Sequence, residues 1–220
     1  MWKRIRNSRR FPGVKQYFYA LTVLFSAMAW VFSVILVTSV FWRVWEFDSQ
    51  VVPIAFIGLW KAQYYLRSND SGLVRDMLID SNIHSGWTHA VELEYAKDLI
   101  VLVNFMQPVT LIFCLVAFLV STSKRTYSAF VRLYSRSSAL LLLLNSVFVA
   151  VAVGWNYIMD ISGQSTLDFP LEIPVNKEDV IKKHLSHVFP LGIVTAALSL
   201  LNAILCFWTM TFLRAKSVKV

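Results

Sequence analysis

The chain has 220 residues, of which 57% are hydrophobic and 15% charged, and its 21 Lys and Arg against 13 Asp and Glu leave a formal net charge of +8. So apolar a composition excludes an ordinary soluble domain. The basic residues are spread over short separate segments rather than gathered in one folded patch, which argues against nucleic acid as a partner.

The first fifteen residues hold six basic side chains, Lys3, Arg4, Arg6, Arg9, Arg10 and Lys15, and no acid. An apolar run over 17–41 follows. It is too long for a signal-peptide core and is not followed by a small-residue cleavage site, so it reads as a retained signal anchor. Three further runs, at 99–121, 137–159 and 188–213, are each near the ~20 residues that a helix needs to cross the hydrocarbon core. None of the four contains Asp, Glu, Lys, Arg or His. The segment 122–136 carries Lys124, Arg125, Arg132 and Arg136, and the tail carries Arg214, Lys216 and Lys219, again without an acid. All thirteen acidic residues fall within 46–98 and 160–179.

Short loops rich in Lys and Arg stay cytoplasmic. The charge split therefore predicts a multi-pass plasma-membrane protein with both termini and the middle loop inside, and with outer loops at 42–98 and 160–187. The predicted fold is a four-helix transmembrane bundle, a single membrane domain over 1–220, with a small extracellular antiparallel β-sheet built from the first outer loop. The lipid bilayer is its first partner, and the basic segments suit its anionic inner leaflet.

Charge-free helix cores disfavour a pump or an intramembrane enzyme. The polar exceptions are Asn104 and Gln107 beside Pro108, Asn145, Asn156 and Asn202. They read as interhelical hydrogen bonding with a proline kink, the other reading being a conduction path. Small residues at four-residue spacing, Ser146, Ala150 and Gly154 on the third helix and Thr195, Ser199 and Ala203 on the fourth, predict close helix packing. Cys114 and Cys206, the only cysteines, both lie in apolar runs, so no extracellular disulfide is available. His84, His89, His184 and His187 form no recognisable ligand pattern, and no nucleophile elbow, phosphate loop or HExxH helix occurs. No catalytic, cofactor or metal site is expected.

The first outer loop is the largest segment between the runs. Residues 41–47 and 54–66 read as aromatic, β-branched strands separated by Pro53, and 91–98 as a helical lead-in to the second membrane helix. Here Trp42-Arg43-Val44 and Gly58-Leu59-Trp60, with seventeen residues between the two tryptophans, stand in the chain together with Lys97. These residues resemble the claudin family, whose members carry a Trp after the first helix, a Gly-Leu-Trp motif later and a basic residue at the start of the second helix. The two loop cysteines of that family are missing: Gln63 stands in the first position, and none occurs over 72–74. A bridge of that kind contributes ~2–4 kcal/mol, which packing must offset here. The resemblance is thus to a divergent, claudin-34-like member. It implies that Trp42 and Trp60 anchor the sheet at the membrane interface.

Asn69-Asp70-Ser71 is a glycosylation sequon on the outer side. In the second outer loop, Phe169-Pro170-Leu171 and Ile173-Pro174-Val175 can meet a neighbouring cell or fold back on the sheet, and 180–187 reads as the start of the fourth helix. Val218 and Val220 fit a carboxyl-terminal ligand for a PDZ scaffold. The resemblance implies a non-enzymatic protein of cell-cell contacts such as tight junctions, pairing with itself or with other claudin-like proteins through the outer loops and modulating paracellular permeability. The alternative is an accessory or trafficking subunit of another membrane protein such as a channel.

Overall fold

The computed structural model describes residues 11–70, 73–83, 90–122, 128–169 and 173–217. Among them are four long helices, α1 (Phe11–Thr38), α2 (Val91–Thr122), α3 (Ser128–Ile161) and α4 (Val188–Ser217). Each contains a stretch long and apolar enough to cross a membrane, from the 23 residues of Gln16–Thr38 to the 33 of Ala129–Ile161. In lipid the backbone must satisfy its own hydrogen bonds, and a helix does so within one segment. This is a multi-pass membrane protein.

The helices overrun their apolar cores. Helix α2 starts at Val91, so the predicted lead-in over 91–98 is helical, and Glu92 and Glu94 in its first turn complement the helix dipole. It continues through Pro108. Helix α1 stops at Thr38, short of the predicted 41, because the chain turns there into a strand.

Contacts divide the chain into two compact units, one of Met1–Ser33, Leu102–Phe148 and Val194–Val220, the other of Val34–Val101 and Val149–Ile193. Among the described residues the first unit is all helix. Its core includes Cys114, Ala139, Leu142, Ala203 and Cys206, and a second cluster joins Tyr19, Ala117 and Val131. Three of the predicted interhelical hydrogen bonds are present: Asn104 Nδ2 donates to Ser33 O at 3.0 Å, Gln107 Nε2 to Ser199 Oγ at 3.4 Å and Asn202 Nδ2 to Thr22 O at 3.0 Å. Asn145 departs from that expectation, for neither of its amide atoms has a partner among the described residues. Thr195, Ser199 and Ala203 are buried as the small-residue spacing predicts. On α3 the expected face packs only at Ser146, which is buried and donates to Ala196 O at 2.9 Å, whereas Ala150 is exposed and a side chain at Gly154 would meet nothing within 4 Å. Val149, Ala152 and Val153 are buried instead.

The second unit carries a five-stranded antiparallel sheet of order β4-β3-β2-β1-β5, with β1 Arg43–Phe47, β2 Ile54–Ile57, β3 Lys61–Asp70, β4 Leu73–Asn82 and β5 Val180–His184. The sheet is larger than the sequence predicts, in three ways. The expected single strand over 54–66 is two strands, because Gly58-Leu59-Trp60 turns between them and Gly58 N–H donates to Lys61 O at 3.0 Å. Strand β4 has little apolar alternation and forms by pairing with β3 along ten residues. The segment from Val180 forms a strand rather than the start of α4, because β1 offers it an edge, from Val44 opposite His184 to Phe47 opposite Val180. A 3₁₀ turn, Lys177–Asp179, precedes it.

Side chains alternate across β1, so Arg43, Trp45 and Phe47 point inward while Val44 and Glu46 are partly exposed. Ala55, Ile57, Ala62 and Tyr64 continue the inner face on β2 and β3. The second loop folds back on this sheet: Phe169 packs edge-on against Trp45 and Phe47 at ring separations of 5.7 and 5.5 Å, and Ile173 and Val175 are buried. Pro170 and Leu171 lie outside the described residues.

Candidate functional site

All of the motif residues lie in the second unit, and the structure brings them together at the end of α1. The last carbonyls of a helix have no partner within it. Trp42 and Trp60 supply two: Trp42 Nε1 donates to Leu36 O at 2.9 Å and Trp60 Nε1 to Val37 O at 2.8 Å. The indoles differ in setting, for Trp42 is 3% exposed and Trp60 51%. An exposed ring with a satisfied polar edge suits a membrane-water interface. Lys97 Nζ stands 5.7 Å from the centre of the Trp60 ring.

Gly58 allows the turn to approach α1. A Cβ at this position would lie 2.8 Å from both Ser39 O and Val40 Cα. These are backbone atoms, which no rotamer change can move aside. Leu59 is buried beside it. The Trp42-Arg43-Val44 and Gly58-Leu59-Trp60 signatures therefore make one clasp that seats the β2–β3 turn on the helix end.

A second cluster lies behind the clasp. Arg43, fully buried, forms an ion pair with Glu92 at 2.8 Å, and the side-chain exposures are 0% and 1%. Three further donations follow: Nε and Nη2 reach Asn156 Oδ1 at 3.3 and 3.0 Å, and Nη1 reaches Ser165 Oγ at 2.5 Å. Glu92 accepts further bonds from Ser165 Oγ at 2.7 Å, Thr166 N at 3.3 Å and Thr166 Oγ1 at 3.1 Å. A buried charge pair is tolerable only when its other hydrogen-bonding positions are filled in this way. Beside it, Trp45 Nε1 donates to Asp160 Oδ1 at 2.9 Å, and Lys183 Nζ lies 3.5 Å from the same carboxylate and 5.2 Å from the Trp45 ring centre. Asp160 is in the last turn of α3 and Lys183 on β5, so the network ties the first loop, α2, α3 and the second loop together.

No family model and no curated protein matches this chain.

Arg43 carries a role beyond its place in the Trp-Arg-Val motif, and Glu92, Asn156, Asp160, Ser165 and Lys183 complete a network that the sequence does not reveal. The one local signal is an arginine set between aromatic residues directly after an apolar run. Asn156, expected to bond another membrane helix, serves Arg43 instead, because β1 brings the guanidinium to it. A cleft of about 150 Å³ opens nearby, lined by Trp42, Asn156, Tyr157, Asp160, Lys183 and Phe189 among others.

The histidines are dispersed. His184 Nε2 lies 2.9 Å from Glu46 Oε2, and His187 packs against the Phe41 ring. His84 and His89 lie outside the described residues. Among the described residues no group of three or more His, Cys, Asp or Glu is placed to hold a metal ion.

The surface of the sheet is set by the β3–β4 hairpin. Lys61 pairs with Asp80 at 3.1 Å and Arg67 with Asp76 at 3.0 Å, all partly exposed. The hydrogen bond from Lys61, with a second from Gln63, holds the Asp80 carboxyl below its ordinary value. Its small contribution is thus present above the unfolded carboxylate value and is lost as pH falls through the folded one. Gln63, which stands where the resembled family has a cysteine, is used here as that cross-strand donor at 2.7 Å. Asn69 is in β3 opposite Val74. Val218 and Val220 lie outside the described residues.

Proposed function

We propose that this is a claudin-like, non-enzymatic protein of cell-cell contacts, adhesive through its two outer loops and able to modulate paracellular permeability. The observation that carries the reading is the clasp. The residues of the family-like motif, Trp42, Gly58, Leu59, Trp60 and Lys97, converge on the end of α1 and seat a sheet that presents its other face outward. The buried Arg43–Glu92 network supports it further, since it braces the base of the first loop, which here lacks the disulfide of the resembled family. The outer segments hold eight and five acidic residues against five and three basic ones, which favours cations along any pathway they line.

The deciding experiment is to image tagged protein in mixed cultures of expressing and non-expressing epithelial cells. Concentration where two expressing cells touch is the expected result. Uniform surface signal that follows another membrane protein would overturn the reading in favour of an accessory or trafficking subunit. Conductance across leaky epithelial monolayers should also change on expression.

The proposed topology, with both termini in the cytoplasm and the plasma membrane as destination, makes Asn69 a glycan acceptor. Peptide-N-glycosidase should therefore increase the gel mobility of protein from mammalian cells, and Asn69→Gln should abolish that shift. An unshifted wild-type band would remove the modification. A PDZ scaffold as partner rests on the terminal Val218-Lys219-Val220 pattern, and deleting these residues should release such a scaffold without affecting insertion.

A further inference from the structure

The cleft of about 150 Å³ in the second unit has no use in the proposed function. One wall is the face of α3 from Val153 to Ile161, and another is the first turn of α4 at Val188 and Phe189. The apolar runs 137–159 and 188–213 end and begin at these residues, so the cleft straddles the edge of the hydrocarbon core. Its inner end is closed: a Cβ at Gly192 would stand 2.5 Å from Val153 Cγ2, so α4 lies directly against that side chain. From Val153 to Asp160 the wall rises about 10 Å, at 1.5 Å per residue.

The chemistry is graded along that length. Val153, Tyr157, Val188 and Phe189 make an apolar inner part, in which the Tyr157 and Phe189 rings stack with centres 4.0 Å apart and planes at 24°. Asn156 and Asp160 stand one turn apart on the same face of α3. Arg43 donates to Asn156 Oδ1, and since a guanidinium can only donate, the group this amide has left to offer is its NH₂ donor. Trp45 Nε1 and Lys183 Nζ both approach Asp160 Oδ1, at 2.9 and 3.5 Å, which leaves Oδ2 as an acceptor. Both residues are buried, so the cleft that they line is the way to reach them.

Charge decides what can enter. Lys183 lines the same cleft and neutralises Asp160, so an added cation meets the ammonium and an added anion meets the carboxylate. The other polar lining groups are engaged, His184 with Glu46 at 2.9 Å and Ser186 with Phe41 O. One donor beside one acceptor matches a single hydroxyl, which gives one bond and takes one. Ile161 and Leu185, which also line the cleft, are 62% and 64% exposed, an apolar rim that suits lipid.

We propose that the cleft is a sterol site, in which the ring bearing the hydroxyl enters between α3 and α4. The hydroxyl meets Asn156 Nδ2 and Asp160 Oδ2, and the ring lies against Tyr157 and Phe189. The volume suits that end of the molecule alone, so the remainder lies in the bilayer. A diacylglycerol or a ceramide brings ester or amide groups as well, for which the cleft has no further partner.

The test is photolabelling of the full chain in phosphatidylcholine nanodiscs with a diazirine-bearing 3β-hydroxysterol, read by peptide mapping. Adducts should fall within 153–161 and 183–189, and excess cholesterol should remove them. Cholesteryl methyl ether, which cannot donate to Asp160, should compete roughly tenfold less well, the effect of losing one buried hydrogen bond. In Tyr157→Ala, a position outside the Arg43 network, labelling should fall several-fold. Adducts spread over the lipid-facing helix surfaces, unchanged labelling of Y157A, or equal competition by the ether would each overturn the proposal. Equal competition by diacylglycerol or ceramide overturns it in favour of another neutral lipid. Should Y157A not fold, the competition series on the unaltered chain still decides.

Discussion

Replacing Arg43 by Met while Glu92 remains should cost about 3–5 kcal/mol of stability and remove most of the folded protein, because the change leaves a carboxylate buried without its counter-charge. The reasoning rests on geometry: the pair is 2.8 Å apart, almost wholly buried, and hydrogen-bonded further to Asn156, Ser165 and Thr166. Attraction between the charges is not itself the source of that effect, since removing both from water is expensive and the net gain of such pairs is small. The double replacement R43M/E92L should therefore be milder than either single change. The coupling between the two sites, read as thermal midpoints or urea unfolding in detergent for the four proteins, should be strongly non-additive. Additive effects would show that the ion pair does not hold the loop.

Trp42→Ala should destabilise by a comparable ~3–5 kcal/mol. It removes a large buried ring and leaves Leu36 O without its donor. Trp60→Ala, at a half-exposed position, should be milder. Gly58→Ala probes the same clasp from the other side. Its methyl would stand 2.8 Å from backbone atoms of Ser39 and Val40, so the turn must move, at about 1–3 kcal/mol. Limited proteolysis of the first loop in detergent-solubilised variants measures this directly: faster cleavage within 42–83 in W42A and G58A than in W60A is the expected order.

Much of the fold is legible in the chain because membrane insertion reads local properties. The four helices follow from apolar runs, and the strand at 43–47 from its aromatic and β-branched residues. Strands β4 and β5 were not legible, and for one reason. Leu73–Asn82 and Val180–His184 have partly exposed faces without clean alternation, so each is a strand only because a neighbouring edge accepts its backbone. The Gly58-Leu59-Trp60 turn was hidden inside a run that reads as continuous strand. Its meaning emerges from the approach of Gly58 to Ser39 and Val40. At the candidate site, Trp42, Gly58, Leu59, Trp60 and Lys97 could be named from their pattern. Glu92, Asp160 and Lys183 could not, as acids and bases near helix ends are ordinarily solvated.

By itself, then, the sequence determined the membrane-spanning helices, the segregation of acidic residues into two segments and the motif residues of the first loop. Hydropathy, charge and short motifs belong to neighbouring residues and survive without knowledge of the fold. Only the tertiary structure decided which of those residues meet. Arg43 finds partners 49, 113 and 122 residues away, and Asn145 finds none among the described residues. Such pairings depend on how β1, α2, α3 and the second loop converge, and no local pattern encodes where a buried charge or amide will find its complement.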